Sequence, residues 1–256
     1  MTEFNVIIPT RYASTRLPGK MLMDIAGKPM VQHAYERAKE SGASRIIIAV
    51  DDDRLAEACE KFGATVCMTA TTHQTGTERI SEVVAEMGFD EEDIIVGLQA
   101  DEPLIPPQLI RTLADNLIDH HPIKMATLAT PLKNAAELFN PNVVKVQLNY
   151  RNVAMTFSRA PIPWDRDQFS KTKNPTEVKL ANAYYRHIGL YAYRAGFLET
   201  YVALPTNLNE TLESLEQLRV LFNGYKIHVG VTNVDIPPGV DTQEDLDRVR
   251  EFLRSL

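Results

Sequence analysis

Short β-branched runs alternate with helix-like stretches over the first hundred residues, and this alternation constrains the fold more than any other feature. The runs cover residues 6–9, 45–50, 64–68 and 94–98, and the helix-like stretches cover 29–41, 53–62 and 77–87. Continuous apolar strands such as 46–48 are typical of a parallel sheet that is covered on both faces. The pattern therefore predicts an α/β fold whose first half is a doubly wound, mostly parallel sheet.

The second half of the chain has a different pattern. Residues 143–149 alternate, with Val144, Val146 and Leu148 on one side and Lys145, Gln147 and Asn149 on the other, and residues 184–193 alternate again. Alternation predicts strands with one solvated face. Residues 158–183 carry three prolines and no period, which indicates a functional loop or an interface. Helices are expected at 208–222 and at 242–253, the second capped by Thr242.

Composition excludes several classes of protein. The 256 residues carry a net charge of −7, which argues against a protein that coats nucleic acid, and no apolar run is long enough to span a membrane. The first residues have no basic region of a secretory signal, so a cytoplasmic protein is expected. Cys59 and Cys67 are expected to be core thiols. We expect one domain over residues 1–256, with 140–195 forming a smaller β-rich subdomain.

A basic turn follows the first strand. Arg11, Arg16 and Lys20 lie within ten residues of a chain whose net charge is negative. Three cations so close repel one another unless an anion lies among them, and ligands bind at the carboxyl ends of the strands in such sheets. Neither a glycine-rich dinucleotide motif nor a Walker motif is present. The turn therefore predicts an anion site of another kind.

Acidic residues follow the fourth strand, where Gln99 is succeeded by Ala100, Asp101 and Glu102. These carboxylates are expected at the same sheet edge as the basic turn, and hard oxygen ligands beside bound phosphates favour Mg²⁺. The alternative is that Asp101 or Glu102 caps the next helix. Residues 51–53, three aspartates after the second strand, are a rival metal site that we interpret mainly as helix caps.

Further polar groups are candidates for substrate binding. Residues 72–79 open a helix with groups that can read a base edge, and Arg159 and His187 suit a carboxylate-bearing partner. On the helix predicted at 208–222, one polar face can hold sugar hydroxyls beside an apolar stripe. Its polar members are Glu210, Glu213 and Gln217, and the stripe is Leu208, Leu212, Leu215 and Phe222. Surface ion pairs, a structural histidine and a solvated helix face remain the alternatives.

Taken in order, these segments resemble the 3-deoxy-manno-octulosonate cytidylyltransferase (CMP-Kdo synthetase) family over nearly the whole chain. The opening RYASTRLPGK at 11–20 is shared by nucleotidyltransferases that make activated sugars. More specific motifs are TGTER at 75–79, FNPNVVKV at 139–146, FSRAPIPWDRD at 157–167, RHIGLY at 186–191 and LEQLR at 215–219.

The resemblance implies a GT-A-like, Rossmann-type nucleotidyltransferase fold with a smaller antiparallel subdomain for dimerisation and sugar binding. It implies Mg²⁺-dependent transfer of CMP from CTP to an octulosonate sugar acid for lipopolysaccharide biosynthesis, by a homodimer. The implied catalytic residues are Lys20, Asp101 and Asp241, and the two aspartates are the implied Mg²⁺ ligands. The implied nucleotide-binding residues are Pro9, Thr10, Arg11, Arg16, Lys20, Gln74, Thr75 and Arg79. The implied sugar-binding residues are Gln99, Arg159, Tyr185, His187, Glu210, Glu213 and Gln217.

Two positions depart from the family pattern. Ala100 stands where the family commonly has glycine, and its methyl group would crowd a ligand over that backbone; Thr211 replaces a larger basic or imidazole side chain. These departures leave open 8-amino-3,8-dideoxy-manno-octulosonate (8-amino-Kdo) as the sugar, its ammonium suited to Glu210 or Glu213. Other readings are a CTP- or UTP-dependent transferase for another sugar, a glycosyltransferase with a nucleotide-sugar donor, or a catalytically silent nucleotide-binding subunit.

Overall fold

The fold was described from a computed structural model that covers residues 3–14, 17–171, 174, 177–180, 184–237 and 239–254. Its strands are β1 (Asn5–Pro9), β2 (Asp24–Ile25), β3 (Lys28–Pro29), β4 (Arg45–Val50), β5 (Thr65–Met68), β6 (Ile94–Gly97), β7 (Met125–Pro131), β8 (Lys145–Leu148), β9 (Ala154–Ser158), β10 (Tyr185–Arg194) and β11 (Ile227–Val231). Its helices are α1 (Met30–Glu40), α2 (Asp53–Lys61), α3 (Gly76–Glu86), α4 (Pro107–Asp119), α5 (Ala135–Phe139), α6 (Arg166–Phe169), α7 (Ala195–Ala203), α8 (Leu208–Glu213), α9 (Leu218–Phe222) and α10 (Gln243–Arg254).

The central sheet runs in the order β11-β7-β10-β6-β1-β4-β5. Strand β10 is antiparallel to its neighbours β6 and β7, and the other pairs along this path are parallel. The hairpin of β8 and β9 pairs with the first residues of β10, where Tyr185 faces Val146 and Arg186 faces Lys145. The predicted α/β class, with a mostly parallel central sheet and a smaller antiparallel part, is confirmed.

Both faces of the central sheet are covered. In β1 the side chains of Val6 and Ile8 enter one apolar cluster with α1 and α4, whereas Ile7 enters the opposite cluster with α3 and α7. Successive side chains of a strand point to opposite faces, so a strand between two clusters must be apolar throughout. This explains the unbroken apolar runs. None of the helices described reaches the length and apolarity that a bilayer crossing requires.

The carboxyl-terminal helix packs against the segment that follows β1. Val240, Leu246 and Val249 share an apolar cluster with Leu17 and Ile25. Thr242 precedes α10 and exchanges hydrogen bonds with Asp245, as expected of the predicted cap. This packing brings the end of the chain to the sheet edge where the first turn lies.

The prediction of one continuous helix over residues 208–222 is wrong, because α8 ends at Glu213 and α9 begins at Leu218. Ser214 adopts a left-handed conformation with φ of 50° and breaks the helix. The predicted apolar stripe does not face one core. Leu215 is buried, whereas Leu208, Leu212 and Phe222 are 71%, 73% and 65% exposed. The break turns Leu215 and Leu218 inward and leaves the other apolar side chains at the surface.

Candidate active site

A cleft of about 260 Å³ lies at the carboxyl ends of β1 and β6. Every residue predicted to bind the nucleotide lines it except Arg16, which lies outside the described residues. All three predicted catalytic residues, Lys20, Asp101 and Asp241, line it as well. The complete lining is Pro9, Thr10, Arg11, Ser14, Lys20, Met21, His73, Gln74, Thr75, Gly76, Arg79, Gln99, Asp101 and Asp241. The structure thus gathers into one cleft residues that are up to 232 positions apart in the chain (241 − 9).

Lys20 joins the two predicted metal ligands. Its Nζ donates to Asp101 Oδ2 at 2.8 Å, to Asp241 Oδ1 at 3.3 Å and to the carbonyl oxygen of Val240 at 2.8 Å. The lysine side chain is only 8% exposed, whereas those of Asp101 and Asp241 are 30% and 50% exposed. Two carboxylates therefore converge on one nearly buried ammonium in the lining of the cleft.

The backbone explains this convergence. The amide of Val240 donates to the carbonyl oxygen of Asp101 at 2.9 Å, which fixes Asp241 beside the end of β6. Gly239 permits this approach, because a Cβ there would lie 3.1 Å from that same carbonyl oxygen and 3.0 Å from Glu102 Oε1. Gly19, with φ of 67°, adopts the left-handed conformation from which the short 3₁₀ turn at Lys20–Leu22 begins.

Negative charge accumulates at this end of the cleft. Burial and the carboxylates of Asp101 and Asp241 raise the pKa of Glu102 to about 7, against opposing contributions from Arg186 and Lys20. The alternative that Asp101 or Glu102 caps the next helix is not supported, since α4 begins after Pro106 without a side-chain cap. An excess of carboxylates over ammonium groups is an environment that attracts a cation.

The donor set fits Mg²⁺ bound together with phosphates. No group of three or more His, Cys, Asp and Glu side chains that could hold a metal ion occurs within the described part of the chain. Mg²⁺ in nucleotide sites is ordinarily held by one or two carboxylates, with phosphate oxygens and waters completing its shell. Asp101 and Asp241 match that arrangement.

The other wall of the cleft is the amino end of α3. Thr75 caps this helix in a capping box, accepting from the Glu78 amide, and its own amide donates to the Glu78 carboxylate. Gly76 brings the helix close to β1, since a Cβ there would lie 3.4 Å from Pro9 Cγ and 3.5 Å from Gln99 Nε2. This packing places Gln74 and Thr75 in the lining of the cleft that Arg11 and Lys20 also line.

Arg79 is buried and already has a carboxylate partner. Its guanidinium donates to Asp51 Oδ2 at 3.1 Å and to the hydroxyl of Thr69. Asp51 also accepts from the Tyr12 amide at 2.9 Å, so it ties the first turn to α3. Interpreting Asp51 as a helix cap was therefore wrong, whereas Asp52 is the cap of α2. With Asp51 and Asp52 engaged in this way, the rival metal site loses its support.

The predicted sugar-binding residues lie mostly outside this cleft. Of the seven, Gln99 lines it, and the other six lie on β10, on the loop after β9, or on the α8–α9 segment. Arg159 and Glu213 contact each other directly: the Arg159 amide donates to Glu213 Oε2 at 2.8 Å, and Ser158 donates to Oε1 at 2.6 Å. Tyr185 lies at the start of β10, opposite Val146 and Pro131.

The α8–α9 segment contains further polar contacts. Glu210 receives two hydrogen bonds from Arg219 Nε, at 3.1 and 3.0 Å, and one from Nη2 at 2.6 Å. Gln217 is buried, and its Nε2 has no hydrogen-bond partner among the residues described; the same holds for the hydroxyl of Tyr191. Such orphaned groups mark a place where a ligand or water would be accommodated.

The surroundings of His187 favour a neutral ring and one of its two tautomers. Thr127 Oγ1 lies 3.0 Å from His187 Nε2 and donates its single proton to the carbonyl oxygen of Leu190 or Ile188. A hydroxyl that donates to one of these carbonyls accepts from the ring, which favours the tautomer with the proton on Nε2 and a lone pair on Nδ1. Burial, with the charge of Arg186, lowers the pKa of His187 to about 3.

We expect the His187 ring to stay uncharged from pH 5 to pH 8, as the Nε2–H tautomer. The folded-state pKa lies below the ordinary value of 6.5, so between these two pKa values the unfolded chain binds more protons than the folded chain. The contribution of His187 to the free energy of unfolding therefore rises with pH up to about 6.5. Long-range ¹H–¹⁵N NMR of the imidazole checks both points. A midpoint near 6.5 for His187, or a protonated Nδ1, would contradict them.

Some residues of the site were not predicted from the sequence. Ser14, Met21, His73 and Gly76 line the cleft but were not assigned to it. Glu216 is also new: Thr77 donates to its carboxylate at 3.3 Å, and burial raises its pKa. The segments 11–20, 72–79 and 210–219 were recognised, but their spacing does not reveal which members turn inward.

The two departures from the family pattern do not shape the cleft as expected. Ala100 is 1% exposed and belongs to an apolar core cluster, so its methyl group packs in the interior rather than over a ligand. Thr211 is exposed, and its hydroxyl donates to the carbonyl oxygen of Asn207 at 3.3 Å. The expectation that the Ala100 methyl crowds a ligand is wrong.

Comparison with known proteins places this geometry in a family. The family model described as Cytidylyltransferase matches residues 5–227. The 3-deoxy-manno-octulosonate cytidylyltransferase of Coxiella burnetii is 55% identical over 250 residues, covering 98% of this chain and 99% of the relative. That of Pasteurella multocida is 52% identical over 257 residues, covering 99% of each chain.

Solved structures of similar proteins support the same family. A structure of CMP:2-keto-3-deoxy-manno-octonic acid synthetase complexed with CTP has a TM-score of 0.89 and 40% identity, with 99% of each chain covered. A cytidylyltransferase from Leptospira borgpetersenii, at 16% identity and a TM-score of 0.64, covers all of this chain and 88% of its own and shares the fold. The chain therefore belongs to the cytidylyltransferases and, within them, to the 3-deoxy-manno-octulosonate cytidylyltransferase family.

Proposed function

We propose that this protein transfers CMP from CTP to 3-deoxy-manno-octulosonate (Kdo), releasing pyrophosphate, in lipopolysaccharide biosynthesis. The observation that carries the proposal is the convergence of Asp101 and Asp241 on Lys20, at one end of a cleft that also holds Arg11 and the α3 turn. The names of the relatives, and the CTP in a structure that is 40% identical, support the choice of nucleotide and sugar.

In the proposed reaction the anomeric 2-hydroxyl oxygen of Kdo attacks the α-phosphorus of CTP. A new oxygen–phosphorus bond forms, the bond from the α-phosphorus to the bridging oxygen breaks, and pyrophosphate leaves. The hydroxyl proton passes to solvent. Such a transfer requires positioning and charge neutralisation rather than a covalent enzyme intermediate.

The proposed role of each residue in this reaction follows from its charge and polarity. Arg11 would bind the anionic phosphates, with the positive charge of Lys20 beside them, and Gln74 and Thr75, which line the same cleft, would hold the base and ribose. Asp101 and Asp241 would hold Mg²⁺, which supplies neutralisation of phosphate charge and lowers the pKa of a bound hydroxyl. Arg159 and the Nδ1 lone pair of His187 would bind the carboxylate and a hydroxyl of the sugar acid, respectively.

A pyrophosphate-release assay tests the proposal. CTP, UTP, ATP and GTP are each combined with Kdo, with Mg²⁺ or with EDTA. We expect pyrophosphate release only when CTP, Kdo and Mg²⁺ are all present. Equal rates with UTP would favour a transferase of broader nucleotide use, hydrolysis without a sugar acceptor would argue for another reaction, and no release would favour a silent nucleotide-binding subunit.

We expect kcat/KM to be about tenfold higher for Kdo than for 8-amino-Kdo, because the added group of the amino sugar would be left unpaired in the site. An added ammonium needs a carboxylate to receive it. Glu210 is already bound by Arg219, and Glu213 by Ser158 and the Arg159 amide. Equal rates would show that this position of the sugar is not sensed, and the reverse preference would assign the protein to the amino sugar.

The proposal includes a homodimer that works in the cytoplasm. Within the described residues strand β9 pairs only with β8, and Val153, just before it, forms an isolated bridge with His228 of β11, so most of the other edge of β9 is unpaired. Met155 on this strand is 58% exposed, and Leu212 of α8 lines a groove with residues 156–158. An apolar strand edge of this kind is ordinarily covered. Light scattering of the purified protein gives the mass that decides between one copy and two.

A further inference from the structure

The β8–β9 hairpin contains a lysine without solvent contact. Alternation placed Lys145 on a solvated face, which was wrong: the residue is 0% exposed. Its Nζ donates to the carbonyl oxygens of Asn140 at 3.0 Å, Val143 at 2.5 Å and Arg159 at 2.5 Å. All three protons of the ammonium are therefore used. Burying a charge is costly, and this one is compensated by backbone carbonyls.

The three carbonyls belong to two loops at the same end of the hairpin. Asn140 and Val143 precede β8, whereas Arg159 follows β9, and Lys145 faces Ser158 across the pair of strands. The ammonium therefore cross-links the loops. Burial lowers the pKa of Lys145 to about 8 against the opposing effect of Glu213, so the side chain is mainly charged at neutral pH.

Arg159 is fixed at several points. Lys145 binds its carbonyl oxygen and Glu213 binds its amide, while its Nε donates to the Glu213 carbonyl oxygen at 2.6 Å and its Nη1 to that of Pro141 at 3.0 Å. Pro141 lies in the loop that Lys145 also holds. The Nη2 group has no hydrogen bond to the described residues, so one edge of the guanidinium can receive a ligand.

We propose that Lys145 is a positioning residue that fixes Arg159 for recognition of the sugar-acid carboxylate. The inference deepens the proposed function and rests on it. Without the ammonium, the carbonyl oxygen of Arg159 loses its hydrogen bond from Lys145. The loop that contains Pro141, whose carbonyl oxygen accepts from Arg159 Nη1, also loses its hydrogen bonds to Lys145. The effect falls on the sugar rather than on CTP, because the nucleotide cleft is lined by residues of other segments.

Steady-state kinetics of Lys145→Met test the proposal. We expect the KM for Kdo to rise by about tenfold or more, as when a supporting hydrogen-bond partner is removed, with the KM for CTP within about twofold of wild type. Lys145→Gln keeps two donors and should lie between. The matched control is Lys133→Met, which removes an exposed lysine and should change neither constant.

A double-mutant cycle separates positioning from general stability. If Lys145 acts through Arg159, then Lys145→Met adds no further rise in the KM for Kdo in an Arg159→Gln background. Independent, additive effects would overturn the proposal, and so would an equal rise in the KM values for Kdo and CTP. If Lys145→Met does not fold, Lys145→Gln takes its place in the cycle.

A readout without sugar distinguishes failure of this inference from failure of the proposed function. The Nε–H of Arg159, bonded to the Glu213 carbonyl, should exchange slowly with solvent in the wild type and faster in the Lys145 variants, as seen by ¹⁵N NMR. Absence of turnover with Kdo in the wild type would overturn the proposed function. Unchanged exchange in the variants would overturn the role of Lys145 whatever the sugar.

Discussion

Replacing either aspartate of the metal pair is expected to abolish most of the activity. Asp101→Asn and Asp241→Asn should each lower kcat by about 10²- to 10³-fold, as does removal of one preorganised charged group in other enzymes. The amide keeps the shape of the side chain but removes the charge that faces Lys20 and would hold Mg²⁺. Initial rates of pyrophosphate release with saturating CTP and Kdo give the measurement.

The folded state should survive both substitutions. Asp101 and Asp241 are 30% and 50% exposed, and each substitution leaves the Lys20 ammonium bonded to the other carboxylate and to the carbonyl oxygen of Val240. Asp247→Asn is the control, since that residue is 57% exposed on α10 and pairs with Arg250. A folded variant with a kcat near that of wild type would remove its aspartate from the metal site.

Lys20→Met is the second substitution with a large expected effect. We expect kcat/KM for CTP to fall by about 10²-fold or more, because the ammonium that joins the two carboxylates beside the proposed phosphate site is lost. The two aspartates then face each other without a cation, so the melting temperature should drop without Mg²⁺ and recover in part when Mg²⁺ is added. Kinetics and thermal melts of the same preparation test both effects.

The control for this change is Lys28→Met. Lys28 is close in sequence, is 44% exposed and pairs with Glu36, so its removal should alter activity little. A Lys20 variant that keeps its kcat/KM but loses stability would show that the lysine serves only to separate the carboxylates. A loss of melting temperature that Mg²⁺ does not reduce would contradict a cation site between them.

The alternation of strands and helices was sufficient to predict the parallel sheet, because continuous apolar runs are typical of strands that are covered on both faces. It also placed Asp101 at the edge where the basic turn begins. Asp241 could be added only through the resemblance, since a carboxylate before a helix is otherwise read as a cap. Its position depends on the packing of Val240 and α10 against the first loop.

Other features depend on contacts that no local pattern contains. The amphipathic spacing at 208–222 gives no sign of the left-handed Ser214 that divides the helix. Alternation assigned Lys145 to solvent, because the pattern cannot distinguish a lysine in water from one bonded to three carbonyls. The pairing of Arg79 with Asp51 spans 28 residues and was likewise invisible.

Asp101 and Asp241 are proposed to hold a divalent ion that in turn holds the triphosphate. Calorimetric titration of CTP, with and without Mg²⁺, tests it most directly in the wild type and in Asp101→Asn and Asp241→Asn. We expect Mg²⁺ to tighten CTP binding by about tenfold or more in the wild type and by much less in both variants. An equal effect of Mg²⁺ in all three proteins would contradict it.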